Sequence, residues 1–278
     1  MSAEGTPGTA APVRLTGVQE TLLAPLYVRA QDNRSPRPVL GDTTAEGLMR
    51  RLDYDWRKMK FAGRDRRTVP FRAKKLDEWA NAFLAEHPDA VVLHLACGLD
   101  SRAFRLDVPD TALWFDVDLP DVIELRRKLY DETDGYRMLA ASAVEAGWLE
   151  AVPKDRPALV VAEGLAPYLA EADGLAMLRN LTGHLSGGVI MFDAVLPWTR
   201  HIAKYARLVR QTGASFGWAV ADPRDLERSV PGLRALDEWS MCDSPYADRL
   251  PVQDRFIVRV MRSVRPLRYA YRLLRYRF

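Results

Sequence analysis

Cysteine and histidine are scarce in this chain. Its 278 residues contain two cysteines, Cys97 and Cys242, and four histidines. There is no Cys-x-x-Cys pair and no cluster of cysteine with histidine, which excludes a disulfide framework or a zinc centre as the organising principle. No run reaches the roughly 18 consecutive apolar residues of a membrane-spanning helix. The first dozen residues are rich in Ala, Gly, Thr and Pro and have neither a basic start nor an apolar stretch. They read as a disordered tail and not as a signal peptide. These absences point to a cytoplasmic protein with no stable membrane insertion.

Acid is missing from one end. From Arg255 to Phe278 there are eight arginines and no Asp or Glu, so with a net charge of +3 the residues before Arg255 carry −5. After Pro266, Arg268, Arg272 and Arg275 share one face at helical spacing, and Leu267, Tyr271, Leu274 and Phe278 share the face beside it. The tail, 263–278, therefore reads as a basic amphipathic helix packed on the body or on a partner subunit in a homo-oligomer. Contact with an anionic surface is the alternative. No nucleic-acid recognition module is evident, and no such partner is expected.

What is present is a regular alternation. A helical cap is expected over 13–86, ending in a helix from Pro70 to Ala85 with Leu76, Trp79, Ala80 and Phe83 as its apolar stripe. Strands are expected at Val91–Leu95, Leu113–Val117, Arg137–Ala140, Ala158–Ala162 and Val189–Phe192, with helical patterns between them. Leu233–Trp239 and Phe256–Met261 complete seven. The fold class is α/β, a doubly wound, mostly parallel, Rossmann-like sheet in one domain over 1–278. Its core spans 87–195 and 233–262, and 196–232 forms a helical lid over the carboxyl ends of the strands, where such sheets bind ligands.

The first strand runs into Ala96-Cys97-Gly98, a turn with almost no side-chain bulk. An acid, Asp118, stands at the tip of the next strand. This arrangement suits an adenosine. A dinucleotide would want three glycines in the turn, and only Gly98 is there. A ligand without phosphate, S-adenosylmethionine, fits the single glycine better.

Three blocks then resemble a known family. Leu95-Ala96-Cys97-Gly98-Leu99-Asp100-Ser101-Arg102, Trp114-Phe115-Asp116-Val117-Asp118-Leu119-Pro120 and Ala162-Glu163-Gly164-Leu165-Ala166-Pro167-Tyr168-Leu169 are similar, in that order, to blocks of the leucine carboxyl methyltransferase family. The closer likeness is to its bacterial small-molecule branch, the tetracenomycin-type O-methyltransferases, which the opening Leu15 to Leu23 also resembles. The resemblance implies a class I methyltransferase fold and S-adenosyl-L-methionine as cofactor. It implies that Arg72 pairs with the methionine carboxylate, that Ala96, Cys97 and Gly98 form the cofactor turn, and that Asp118, beside Leu119, takes the ribose hydroxyls. Ser142 and Ala143 would flank the adenine, and Glu163 would lie on the cofactor side after the fourth strand. The family usually has glycine where this chain has Ala96, a substitution that is tolerable if the backbone φ there is negative.

Each residue also has a plainer reading. Arg72 is a helix-surface arginine, Asp118 caps the next helix, Glu163 is a buried structural acid, and Cys97 is a small packing residue. His94, in mid-strand, reads as a core histidine.

A carboxylate acceptor needs no base, whereas a phenol, with pKa about 10, benefits from one. His201 is the candidate base and Tyr168 a second catalytic candidate. Tyr27, Trp198, Tyr205 and Trp218 are candidates for an aromatic substrate wall. The expected activity is O-methylation of a carboxylate or phenol on a small aromatic or polyketide-like metabolite in secondary metabolism. The alternatives are methylation of a protein C-terminal carboxylate and a cofactor-binding homologue with no methyl transfer or with another reaction.

Overall fold

The computed structural model describes residues 11–12, 17–59, 68–203 and 216–278. Its centre is a seven-stranded sheet made of β1 (Val91–Leu95), β2 (Leu113–Asp118), β3 (Tyr136–Ala140), β4 (Ala158–Ala162), β5 (Gly188–Val195), β6 (Arg234–Ser240) and β7 (Tyr271–Arg277). The strands lie in the order β3-β2-β1-β4-β5-β7-β6. The first five are parallel, and β7 runs antiparallel to both of its neighbours. Every residue of β1 and β4 is buried. That is why these strands, but for His94 in β1, read as continuous apolar runs and not as alternating ones.

Helices cover both faces. They are α1 (Gly17–Asn33), α2 (Thr43–Arg51), α3 (Thr68–Glu86), α4 (Arg102–Arg105), α5 (Pro120–Arg127), α6 (Glu171–His184), α7 (Thr199–Ala203), α8 (Arg224–Ser229), α9 (Val252–Ser263) and α10 (Arg265–Arg268). On one face Leu23 and Leu26 of α1, and Leu76, Ala80 and Leu84 of α3, pack on Val92 and Trp114. On the other, Met177, Leu178 and Leu181 of α6 pack on Val91, Leu93 and Val160. Asp42 caps α2, accepting from the Ala45 N–H at 3.1 Å.

Three expectations about the ends of the chain are corrected. Phe256–Met261 is helix, not strand: it lies within α9, with Val258 buried against Phe71 and Leu250, and Val252, Phe256, Ile257 and Val260 exposed. The basic tail is not a helix: after the single turn α10 it becomes β7, inserted between β5 and β6. The physical reason is charge pairing that only a strand allows. Arg272 meets Glu238 and Arg275 meets Asp237, both acids on the neighbouring β6, while Leu273, Leu274 and Tyr276 are fully buried. Third, Ala11–Pro12, within the expected tail 1–12, pairs in parallel with Leu52–Asp53; residues 1–10 lie outside the described residues. No described helix is long and apolar enough to cross a membrane.

Candidate active site

The carboxyl ends of β1, β2 and β4 place the chemistry. β1 ends in the Ala96-Cys97-Gly98 turn. Gly98 has φ +52°. Ala96 also lies in the left-handed region, at φ +49°, the only non-glycine among the described residues that does so. The negative φ under which an alanine would be comfortable is therefore not what the turn adopts.

Asp118 closes the turn from the tip of β2. Its Oδ2 accepts the Gly98 N–H at 2.7 Å and its Oδ1 accepts the Leu119 N–H at 2.8 Å. Each oxygen keeps a free lone pair for a ribose hydroxyl. Burial raises the pKa of Asp118, against the pull of these two N–H groups, and hydroxyl donors from a ligand would relieve that cost. Leu119 is half-exposed beside it. Ser142 and Ala143 follow β3, both partly exposed. Cys97 is buried, and burial pushes its thiol pKa up, so it packs and is not poised as a nucleophile.

Arg126 of α5 holds the turn from below. Fully buried, it donates to the carbonyls of Gly98 at 2.9 Å and Asp100 at 2.7 Å, and it pairs with Asp116. Burial alone would raise the pKa of Asp116, but the Arg126 charge and hydrogen bonds from His94 and Tyr136 outweigh it and bring it to about 2. His94 is 3.0 Å from Asp116 through Nδ1 and 3.2 Å from Arg102 through Nε2. Arginine can only donate, so Nε2 accepts and Nδ1 carries the proton. His94 is a satisfied core histidine.

Arg72 and Glu163, 91 residues apart, meet directly: Arg72 Nε donates to Glu163 Oε1 at 2.7 Å. Glu163 also receives Arg102. Burial acts to raise the pKa of Glu163, and the two guanidinium charges, Arg102 first, hold it below the usual carboxylate range. From Arg102 a buried chain of alternating charge runs outward through Asp77, Arg105, Asp100, Arg29 and Asp42. Ser101 stands at the start of α4 but spends its hydroxyl on Asp42, at 2.7 Å. Arg72 has a second anchor that sequence reasoning missed. Its Nη1 donates to the Tyr271 hydroxyl at 2.5 Å, and Asp193 of β5 lies 3.6 Å from the same nitrogen. Asp193 lies one residue past the strand as read, Val189–Phe192, in the observed β5, and Tyr271 lies in a tail that read as helix; neither carried a local signal.

The remaining candidates divide. Tyr168 is half-exposed just beyond Glu163, edge-on to Phe216 at 5.3 Å. Tyr27 stacks on Trp56 with centroids 6.3 Å apart. Trp198 follows β5, and its buried indole N–H has no hydrogen-bond partner among the described residues. His201 is exposed on α7. Trp218 is a correction: it is 3% exposed in the core, stacked on Phe192 and seated on Gly174, where an added Cβ would come within 2.2 Å of its ring. The glycine in α6 makes room for it, so Trp218 supports the fold and is not a wall of the substrate site. Tyr205 lies outside the described residues.

The cradle fits an adenosyl ligand with an amino-acid end. It offers a small-residue turn, a strand-tip carboxylate bonded to that turn, and a guanidinium fixed on Glu163 at the end of the adjoining β4. Comparisons with known proteins agree. The model of the leucine carboxyl methyltransferase family matches residues 23–182. The chain is 64% identical over 267 residues, 96% of its length and 98% of the relative's, to the tetracenomycin polyketide synthesis O-methyltransferase of Streptomyces glaucescens. It is 39% identical, over 80% of its length and 82% of the relative's, to an S-adenosyl-L-methionine-dependent methyltransferase of Gibberella zeae. A crystal structure of a candidate methyltransferase from Thermobifida fusca shares the fold, with a TM-score of 0.54 at 18% identity over 90% of this chain and 93% of that one. The chain belongs to the leucine carboxyl methyltransferase family and is an S-adenosylmethionine-dependent O-methyltransferase.

Proposed function

We propose that this enzyme methylates a carboxylate on a small aromatic, polyketide-like metabolite. The observation that carries the reading is that the Ala96–Gly98 turn, Asp118 and Glu163 stand at the adjoining carboxyl ends of β1, β2 and β4, with Asp118 bonded to Gly98 and Arg72 to Glu163, in a chain so similar along its whole length to a polyketide O-methyltransferase. When bound, the cofactor supplies an activated methyl group. The protein's own task is then to hold the acceptor oxygen in line with that group and to exclude water. Arg72 would receive the methionine carboxylate, Asp118 the ribose, and Ser142 and Ala143 the adenine.

The preference for a carboxylate acceptor rests on which groups are free. Glu163 and Asp193 are already engaged by Arg72, Arg102 and Tyr271. Burial raises the Tyr271 hydroxyl well above its ordinary range, so it does not offer itself as a base. A carboxylate is anionic at neutral pH and needs none. The unpartnered Trp198 N–H would find an acceptor in a substrate oxygen. His201 is the group left to assist a phenol.

Calorimetry with S-adenosylmethionine tests the cofactor site. Asp118→Ala is expected to weaken binding by about a hundredfold, the order of two hydrogen bonds to a charged group. Unchanged affinity would refute the site. Transfer of labelled methyl onto a matched pair of aromatic substrates, one carboxyl and one phenol, tests the acceptor. The carboxyl substrate is expected to react, with His201→Ala leaving that activity intact. Preference for the phenol, with activity lost in His201→Ala, would overturn the carboxylate reading.

A further inference from the structure

We propose that Tyr271, the first residue of β7, is a positioning residue that sets the orientation of Arg72 toward the amino-acid end of the cofactor; this rests on the cofactor reading above. The Tyr271 hydroxyl serves two partners. It donates its single proton to Asp193 and accepts from Arg72 Nη1 at 2.5 Å. Arg72 Nε is committed to Glu163 at 2.7 Å. A guanidinium is planar and rigid, so fixing Nε and Nη1 fixes the direction of Nη2 as well.

That third nitrogen faces Gly164. A Cβ added there would stand 3.4 Å from Nη2, so the glycine leaves this donor edge uncovered by a side chain. Gly164 is itself held in place: its φ is +73° and its N–H donates to Asp193 at 2.6 Å. Asp193 thus braces both the glycine and the tyrosine. The guanidinium side chain is 11% exposed. It therefore presents one open edge to a carboxylate and little else to water.

The tyrosine also keeps Arg72 off Asp193. The two lie 3.6 Å apart, a charge contact beyond good hydrogen-bonding distance, and the phenol oxygen bridges the gap. Without that oxygen the guanidinium is free to swing onto Asp193 and turn Nη2 away from the ligand. Tyr271→Phe removes only the oxygen. The aromatic ring, 5.8 Å from the guanidinium carbon, remains as a cation–π partner.

The experiment compares two ligands by calorimetry. S-adenosylhomocysteine carries the amino-acid end; 5′-methylthioadenosine has the adenosine and sulfur without it. Tyr271→Phe is expected to weaken S-adenosylhomocysteine about tenfold and leave 5′-methylthioadenosine unchanged. Introduced into Arg72→Ala, it is expected to change neither, because its effect passes through the arginine. Equal loss for both ligands would mean a merely structural role, and no loss for either would mean no role; both overturn the proposal. Arg72→Lys keeps the charge without the planar fork and is expected to show the same split. Full S-adenosylhomocysteine affinity in Arg72→Lys overturns the orientation argument even if Tyr271→Phe fails to fold. If the unaltered enzyme binds neither ligand, the cofactor reading itself falls and takes the proposal with it. If the unaltered enzyme binds both and Tyr271→Phe is silent, only the proposal falls.

Discussion

Ala96 makes an unusual prediction about the sign of a mutation. Replacing alanine by glycine ordinarily destabilises a protein, because glycine has more backbone freedom to lose on folding, about 0.5–1 kcal/mol. At φ +49° the balance reverses. An L-residue with a Cβ costs roughly 1–2 kcal/mol in the left-handed region, and glycine costs almost nothing there. Subtracting the entropy loss leaves Ala96→Gly neutral to stabilising, by roughly 0–1.5 kcal/mol. Ala82 supplies the control, an exposed alanine in the interior of α3, where Ala82→Gly is expected to cost about 1 kcal/mol in helix propensity. The two variants make the same chemical change and are expected to differ by about 1–2 kcal/mol, with opposite or near-opposite sign. Urea unfolding, with the midpoint read at constant slope, measures both. Ala96→Val extends the series: a β-branched residue at positive φ is a steric outlier and is expected to lose more than either. If Ala96→Gly destabilises as much as Ala82→Gly, the turn does not hold Ala96 in the left-handed region, and the strain argument is refuted.

Two further outcomes follow from buried charge. Asp116 has its pKa held at about 2, below the ordinary 3.8, so its stabilisation is present above the higher value and is lost as pH falls from there toward 2. The difference is worth about 2 kcal/mol. In urea unfolding, the stability gap between the unaltered protein and Asp116→Asn is expected to be widest near neutral pH and to narrow in acid; a gap that stays constant would refute the assignment. Arg272→Ala tests the corrected tail. Arg272 is 4% exposed and joins Glu238 to the carbonyls of Val220, at 2.5 Å, and Ala221, at 3.1 Å. Its loss is expected to cost about 3 kcal/mol and lower the thermal midpoint by several degrees, whereas an arginine on a solvated helix face would cost almost nothing.

The sheet was legible wherever burial is symmetrical. Val91–Leu95, apart from His94, and Ala158–Ala162 are apolar because helices cover both faces, and no other element of that length suits them between turn residues. The tail was not legible, for an equally physical reason. Arg268, Arg272 and Arg275 recur at a period that a helix also satisfies, and the acids that pair with Arg272 and Arg275 in the strand, Glu238 and Asp237, lie more than thirty residues earlier. Periodicity reports local order, and β7 is decided by its neighbours. The site shows the same division. Asp118 and Glu163 sit in blocks that can be recognised one at a time, and Arg72 is matched from the helix before the first strand, but nothing in those stretches says that Arg72 and Glu163 touch, or that Asp193 and Tyr271 complete the group. Ala96 looked like a departure in residue type; only the backbone angle shows it to be a departure in conformation as well.

The buried charges need a reason other than stability. A buried ion pair often does no better than a well-packed apolar pair, because the loss of hydration offsets the attraction. Yet this fold carries Arg72, Arg102, Arg105 and Arg126 among Glu163, Asp77, Asp100 and Asp116, in one half of the sheet and beside one turn. Several of them fix groups of the proposed cofactor site. Arg126 holds the carbonyls of the turn, Arg102 holds Glu163, and Glu163 with Tyr271 holds Arg72. A flexible arginine on the surface would have to be ordered when the cofactor arrived, at about 0.5–1.5 kcal/mol for each such side chain. Here that ordering is completed as the chain folds, so the cost is carried by the protein's stability and not by its affinity. The expected mark of such a design is that substitutions in the network change ligand binding out of proportion to the number of ligand contacts they remove.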